Sequence, residues 1–357
     1  MNKKILLYIF AIATLTASAI ATYVYKTNSK QSQPDQANPQ VLAVQDGAFA
    51  PDPEFADKNT LAILLLGYGG AGHQGGFLTD AIQIVLFDFE KNSIAFISIP
   101  RDLSVALPNG TTAKINAAFS LGNKADPIHS GAEIAKQMAT TVTGIPIDAF
   151  ISVDFVGLQI AVGGILDGLE VAVSETLNDP WYPIEGKQLD TCGKSPEEVA
   201  HLTNTLSGFE LEKQFECRYE RIYYPVGKHH MEGGDVLAYV RSRHGSVGGD
   251  FSRSKRQQEV LLAVREKLFT LDALNKIPEF FKTMIARTST DLDIDAITTL
   301  APNLTKTKDM ITKSITLSTQ NVLQNSKSSA GAYIVIPKAG PNNWQETREF
   351  ITAELEQ

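Results

Sequence analysis

Four of the ten arginines in this 357-residue chain, Arg241, Arg243, Arg253 and Arg256, fall within sixteen positions. The net charge is -8, so the run is an island of cation in an acidic protein. A guanidinium is planar, stays protonated and presents donors in a rigid fork, which suits bidentate pairing with phosphate oxygens. The run therefore predicts a compact anion as ligand. Nucleic acid is excluded as that anion: without Lys3, Lys4 and Lys26 the chain has 29 basic and 40 acidic residues, a net of -11. General affinity for nucleic acid needs broad positive charge instead.

Arg253, Gln257, Val260, Val264 and Leu268 recur at steps of 4, 3, 4 and 4, predicting a helix over residues 253–271 with one stripe that is polar at its start and apolar at its end. The face that packs on the core therefore also aims Arg253 and Gln257 inward. Arg241 and Arg243 are two apart and would share a face in a strand. An ion pair with Asp250 or Glu232 would account for one of them, but not for both together with Arg253. Lys255 and Arg256 are either solvent-facing helix residues or further parts of the anion grip.

The elements that must position this run begin with three apolar strands, Leu61–Leu66, Ala81–Asp88 and Ser93–Ile99, whose continuous hydrophobicity suits a sheet covered on both faces. Helices are expected at Gly131–Val142 and Phe155–Val162, the latter ending at Gly163-Gly164 before a strand at Leu169–Val173. A late strand, Gly331–Pro337, and a helix over Asn343–Leu355 follow. Gly67-Tyr68-Gly69-Gly70-Ala71-Gly72 matches a dinucleotide-binding glycine pattern, with Asp88 about twenty residues on, but the helix that pattern requires is broken by Gly75 and Gly76. No Walker lysine follows either.

Residues 5–25 carry no charge and are long enough to cross a bilayer as a helix after Lys3 and Lys4. The alternative is a cleaved signal peptide, with small-x-small sites at Ala17-Ser18-Ala19 and Ala19-Ile20-Ala21. Either reading puts the remainder outside the cytoplasm. Residues 26–59 read as a flexible stalk rich in Gln, Asn, Pro and Asp. In that compartment the two cysteines, Cys192 and Cys217, are most simply a disulfide, worth on the order of 3 kcal/mol in a loop-entropy account. They fall in an excursion over about residues 178–224 with Trp181 and Tyr182, which could stack on a glycan or cap the domain. His229, His230 and His244 lack metal-ligand spacing, and His73 lies in the glycine-rich loop near Asp80.

Several motifs occur in order between about Leu61 and Leu271: Ser98-Ile99-Pro100-Arg101-Asp102, Lys114-Ile115-Asn116-Ala117-Ala118-Phe119, Val153-Asp154-Phe155-x-Gly157, Gly163-Gly164-Ile165, Met231-Glu232-Gly233, Tyr239-x-Arg241-x-Arg243, and Asp250-x2-Arg253-x2-Arg256-Gln257-Gln258. Together they resemble the LytR-CpsA-Psr family. The resemblance implies a single-pass protein of the bacterial cytoplasmic membrane with an extracytoplasmic α/β domain, a three-layer α-β-α sandwich around a central mixed sheet. That domain would span residues 60–330 and be completed by residues 331–357. The implied activity is transfer of a glycopolymer from a polyprenyl-diphosphate carrier to peptidoglycan, with Mg2+ at the phosphates and membrane lipid as surroundings. A non-catalytic binder of lipid diphosphate or polymer, and a pyrophosphatase using water as acceptor, are the alternatives.

Carried over by motif, Arg101, Lys114, Arg241, Arg243, Arg253 and Gln257 match diphosphate-binding positions, and Arg256 belongs to the same run. Asp80 matches a metal-binding aspartate. Asp102 is either a second metal ligand or a cap that holds Arg101. Asp102 and Asp250 are the candidates for an optional base beside Arg101. Two positions depart from the family pattern: Gly69 stands where many members have a second metal-binding aspartate, and Leu78 where many have an arginine. The lipid tail would need an apolar slot, for which the strands, residues 260–271 and residues 277–285 are candidates.

Overall fold

The computed structural model describes residues 59–70, 75–242, 245–246, 250–268, 288–292 and 310–357. All belong to one compact unit, Ala50–Gln357; the other unit, Met1–Phe49, lies outside the described residues, with the expected transmembrane segment. Of the expected stalk, residues 26–58 also lie outside the described residues. Among the described residues no helix is long and apolar enough to cross a membrane.

The chain opens with β1 (Thr60–Tyr68), β2 (Thr79–Asp88) and β3 (Ser93–Ser98), a meander in which both pairs are antiparallel. A small hairpin, β4 (Ser104–Ala106) and β5 (Thr112–Lys114), leads to helix α1 (Pro127–Thr143) and β6 (Ala149–Asp154). Helix α2 (Phe155–Gln159), β7 (Leu169–Val173), β8 (Leu177–Pro183) and α3 (Pro196–Thr205) come next. They precede β9 (Tyr219–Tyr224), β10 (Gly227–Met231), α4 (Gly233–Arg241) and α5 (Asp250–Leu268). The chain closes with β11 (Thr288–Thr290), β12 (Ile311–Thr316), β13 (Leu323–Lys327), β14 (Tyr333–Pro337) and α6 (Gln345–Glu356).

The central sheet has the order β11-β6-β1-β2-β3-β12, with β1/β6 and β3/β12 parallel. It is a mixed sheet in an α/β fold. Alternation along β1 sends Ala62, Leu64, Leu66 and Tyr68 into one apolar cluster, shared with α1 and α6 through Ala135, Met138 and Ile351. Leu61 and Ile63 enter a second cluster on the opposite face, against Leu261 and Leu262 of α5. Helices thus cover both faces, which is why the strands read as unbroken apolar runs. Gln258 of α5 ties that face further, donating to Phe96 O and Ile315 O at 3.3 Å. The late strand forms a hairpin with β13, and α6 buries Ile351 in the α1-side cluster.

Two expectations are corrected. Gly163-Gly164 do not stop the helix that begins at Phe155: the chain widens into a π-turn over Ile160–Ile165, closed by Leu166 N–H donating to Ala161 O at 3.1 Å. α4 crosses directly against this segment: a Cβ at Gly163 would lie 3.3 Å from Gly233 N, and one at Gly233 would lie 2.3 Å from Gln159 O. Arg241 is not in a strand; it ends α4, whose start is held by Glu232 and Asp235 capping each other's backbone. The buried face Val236-Leu237-Ala238-Tyr239 favours the helix there. The expected helix at residues 277–285 lies outside the described residues.

Candidate functional site

Asp80 is the second residue of β2, just past the register shift of β1 at Gly67/Tyr68. β3 runs antiparallel to β2, so the chain leaving β3 through Pro100 brings Arg101 back beside it. Arg101 Nη1 donates to Asp80 Oδ1 at 2.5 Å. From the other side Arg253, in the first turns of α5 and 3% exposed, places Nη1 at 3.9 Å from the same oxygen. Gln257, one turn on from Arg253, accepts from Gln83 Nε2 at 3.4 Å. The polar start of the α5 stripe therefore faces the sheet, as its phase requires.

Behind this pair lies a second one. Lys114, at the end of β5, donates to Asp102 Oδ1 at 2.6 Å, and Arg101 Nε sits 3.6 Å from Asp102 Oδ2. Asp102 is 8% exposed. Three cations thus surround two carboxylates at the start of β2 and just past the end of β3, leaving a local excess of positive charge beside Asp80. Asp102 has both oxygens facing cations, an arrangement that suits the reading in which it holds Arg101.

Arg241 stands apart from these pairs. Its guanidinium lies over the ring of Phe155, 4.2 Å from the centroid. Burial raises the Tyr182 hydroxyl pKa above its ordinary value, while the Arg241 charge works against that. Among the described residues no carboxylate is ion-paired with Arg241.

Arg256 corrects both readings of the sequence. It is 4% exposed, and its fork donates to Tyr239 O at 2.8 Å, to Ser246 Oγ at 2.6 Å and to Ser242 O. It is neither a surface residue nor a phosphate ligand; it is the internal brace of the arginine loop. Burial lowers its pKa from the ordinary arginine value, against the pull of Tyr239 and Glu259. Lys255 is exposed. Arg243, His73 and His244 lie outside the described residues, and of Asp250 only its place at the start of α5 is described.

Cys192 and Cys217 are joined. With Asp190 they make up the trio of candidate metal donors found among the described residues, but both sulfurs are consumed by the disulfide. Trp181 packs edge-on against Phe209 and Tyr219, each at 5.6 Å, inside the excursion. Sequence reasoning missed Gln83 and Asp179. Asp179 and Ser242 meet across 63 residues, a separation at which no local period carries a signal.

The family profile described as the LytR_cpsA_psr family matches residues 12–347. The chain belongs to that family. The polyisoprenyl-teichoic acid–peptidoglycan teichoic acid transferase TagV of Bacillus subtilis is 25% identical over 299 residues, covering 82% of this chain and 64% of TagV. The corresponding transferase TagU of Bacillus cereus is 21% identical, covering 85% and 84%. The crystal structure of Bacillus subtilis TagV shares the fold, with a TM-score of 0.57 at 22% identity over 84% of this chain and 98% of the other. In this LytR_cpsA_psr member, Arg253, Asp80 and Arg101 converge where the start of β2, the end of β3 and the start of α5 meet.

Proposed function

We propose that this protein is an extracytoplasmic phosphotransferase that moves a glycopolymer from a polyprenyl-diphosphate carrier to peptidoglycan and releases polyprenyl phosphate. The observation that carries this reading is the convergence of Arg101 and buried Arg253 on Asp80, with Lys114 and Gln257 beside them. Family membership and the transferases TagV and TagU supply the chemical class. The apolar segment over residues 5–25 fits an anchor that holds the domain at the bacterial membrane surface.

A diphosphate in transfer spreads negative charge over its non-bridging oxygens, so positioning and charge neutralisation supply most of the acceleration. Arg253 and Arg101 would neutralise the phosphate nearest the sheet, and Arg241 would approach from the end of α4. Arg243 belongs to the same grip by its motif. A hydroxyl of the peptidoglycan acceptor attacks the sugar-proximal phosphorus, the bond to the bridging oxygen breaks, and polyprenyl phosphate departs. The hydroxyl proton needs no dedicated base in a loose transition state. Asp250 remains a candidate for one by position alone.

For Mg2+ the donor set fits a single protein carboxylate. Asp80 is partly exposed, and its Oδ1 carries the arginine contacts, which leaves Oδ2 to face a cation. Mg2+ is commonly held by one or two carboxylates with water and substrate phosphates completing the shell. When bound, it would add positive charge to the phosphate oxygens. Gly69 offers no second carboxylate. Gly70 has φ +86°, and a Cβ there would lie 3.1 Å from Asp154 Oδ2, so this turn is built for close backbone approach.

Mass spectrometry of lipid retained by the full-length protein after extraction from membranes is expected to show polyprenyl phosphate or diphosphate. Absence of such lipid, together with no affinity for added polyprenyl diphosphate, contradicts the proposal. Binding of added diphosphate is expected to weaken about tenfold or more when Mg2+ is chelated; unchanged affinity removes the metal from the account.

A further inference from the structure

The two aromatic side chains that the sequence offers for a glycan are both used inside the excursion. Trp181 is packed edge-on by Phe209 and Tyr219, each at 5.6 Å, and Tyr182 is buried. The ring left open is that of Tyr223 on β9, a residue 54% exposed. Alternation along the β8–β9 ribbon explains the difference. Leu177, Ile222 and Tyr224 face inward and join an apolar cluster with Val260 of α5. Asn178, Arg221 and Tyr223 alternate with them and stand exposed on the outer face.

That outer face carries an ordered polar set. Tyr223 lies directly opposite Asn178 across the ladder, and Arg221 is the diagonal neighbour of Asn178. Arg221 Nε donates to Asn178 Oδ1 at 2.8 Å, and the guanidinium lies 5.3 Å from the Tyr223 ring centroid. Both partners are neutral. Among the described residues no carboxylate is ion-paired with Arg221. Its Nε is spent on the amide, so the terminal nitrogens of the fork remain for an anion. The ribbon also adjoins the arginine loop. Asn178 pairs with Tyr223 along one edge of β8, while its N–H donates to Gly245 O of the loop at 3.4 Å. Asp179 Oδ2 accepts from Ser242 Oγ at 2.6 Å, which ties the same strand to the end of α4. β8 thus lies between the loop and β9, and Tyr223 is one strand spacing, about 5 Å, beyond β8.

We infer that this face is the acceptor subsite: a sugar ring of peptidoglycan lies on Tyr223, and a carboxylate of the same polymer pairs with the fork of Arg221. The inference rests on the phosphotransferase reading and adds to it the place where the acceptor docks. A pyranose presents a face of C–H bonds to the electron-rich face of an aromatic ring, and the amide and guanidinium beside the ring meet its polar groups. Peptidoglycan combines such rings with carboxylates on its peptides, and a planar carboxylate matches a guanidinium fork bidentately. In-line transfer puts the acceptor hydroxyl and the departing carrier on opposite sides of the phosphorus. The acceptor therefore needs a docking surface separate from the carrier's, and this face is distinct from the sheet-side pairs yet borders the loop.

The test is calorimetric titration of the full-length protein with soluble peptidoglycan fragments and, in parallel, with farnesyl diphosphate. The double variant Arg221→Ala/Tyr223→Ala is expected to weaken fragment binding about tenfold. Its affinity for farnesyl diphosphate should match that of the wild type, which also shows that it is folded. Amidating the carboxylates of the fragments is expected to weaken their binding to the wild type and to cost Arg221→Ala nothing further. Tyr223→Phe, which keeps the ring, is expected to recover the affinity that Tyr223→Ala loses. Equal fragment affinity in wild type and double variant overturns the inference, as does absence of fragment binding by the wild type; retained diphosphate binding then leaves the phosphotransferase reading standing. A loss seen only with a soluble anionic glycopolymer in place of peptidoglycan assigns the face to the donor and overturns the inference as well. Failure of the wild type to bind farnesyl diphosphate contradicts the phosphotransferase reading and removes the inference with it.

Discussion

The two cationic regions of this protein are held by opposite means. At the ends of β2 and β3, Arg101 and Lys114 are matched to Asp80 and Asp102 at 2.5 Å and 2.6 Å. Around the end of α4, Arg241 lies against a ring, and Arg256 is held by a hydroxyl and backbone carbonyls. Carboxylate partners cancel charge and fix a frame; neutral partners fix direction and leave charge in place. The sheet side is therefore the rigid frame of the site, and the loop side brings uncompensated charge to it. Arg253 stands between them, buried, with Asp80 at 3.9 Å.

The sharpest way to break this comparison sets Arg253 against Arg256, three residues apart on α5. Arg253→Ala is expected to lower transfer per folded molecule by about 10²–10³-fold, the usual cost of removing one aligned charge-stabilising donor. Arg256→Ala should act mainly on stability, by about 3 kcal/mol, because it removes a buried fork that donates to Tyr239 O, Ser242 O and Ser246 Oγ. That loss is read as a lower denaturant midpoint at unchanged slope. If the two variants exchange phenotypes, the division into frame and grip is wrong.

On the sheet side, Asp102→Asn separates a holder from a base. Loss of a general base costs about 10²–10⁴-fold, whereas an amide that still accepts from Lys114 is expected to cost less than about tenfold. A larger fall in rate at unchanged stability returns Asp102 to the chemistry.

The smallest effect lies outside both regions. His230, on the surface of β10, has Glu170 at 2.9 Å from Nδ1 and Glu232 at 3.3 Å from Nε2. The Glu170 hydrogen bond, followed by that of Glu232, raises its pKa above the ordinary imidazole value. The stabilisation is therefore fully present below about pH 6.5 and is lost as pH rises through the higher folded-state value. His230→Gln should remove this slight slope from a stability profile taken between about pH 6 and pH 8 and leave transfer unchanged. A slope that persists assigns it to another group.

Much of the frame was legible in the sequence. The unbroken apolar runs of β1, β2 and β3 announced a sheet covered on both faces, and the 4-3-4-4 steps along α5 turned Arg253 and Gln257 toward it. Arg256 was misread because periodicity gives a direction around a helix and not what waits there: three acceptors from residues 239, 242 and 246 enclose it. A spacing of two between Arg241 and Arg243 suits a strand face, but the caps at Glu232 and Asp235 begin a helix that runs to Arg241. Asp179 was hidden by distance along the chain, since its partner Ser242 lies 63 residues away.

The most direct test of the central claim incubates the full-length protein with a lipid-diphosphate-linked glycan, Mg2+ and a peptidoglycan acceptor, and follows both products. The account predicts polyprenyl monophosphate appearing together with glycan-labelled acceptor, and both products lowered about 10²–10³-fold with Arg253→Ala. Monophosphate without labelled acceptor means that water receives the phosphoryl group, and absence of monophosphate means a binding protein; either result contradicts the transferase.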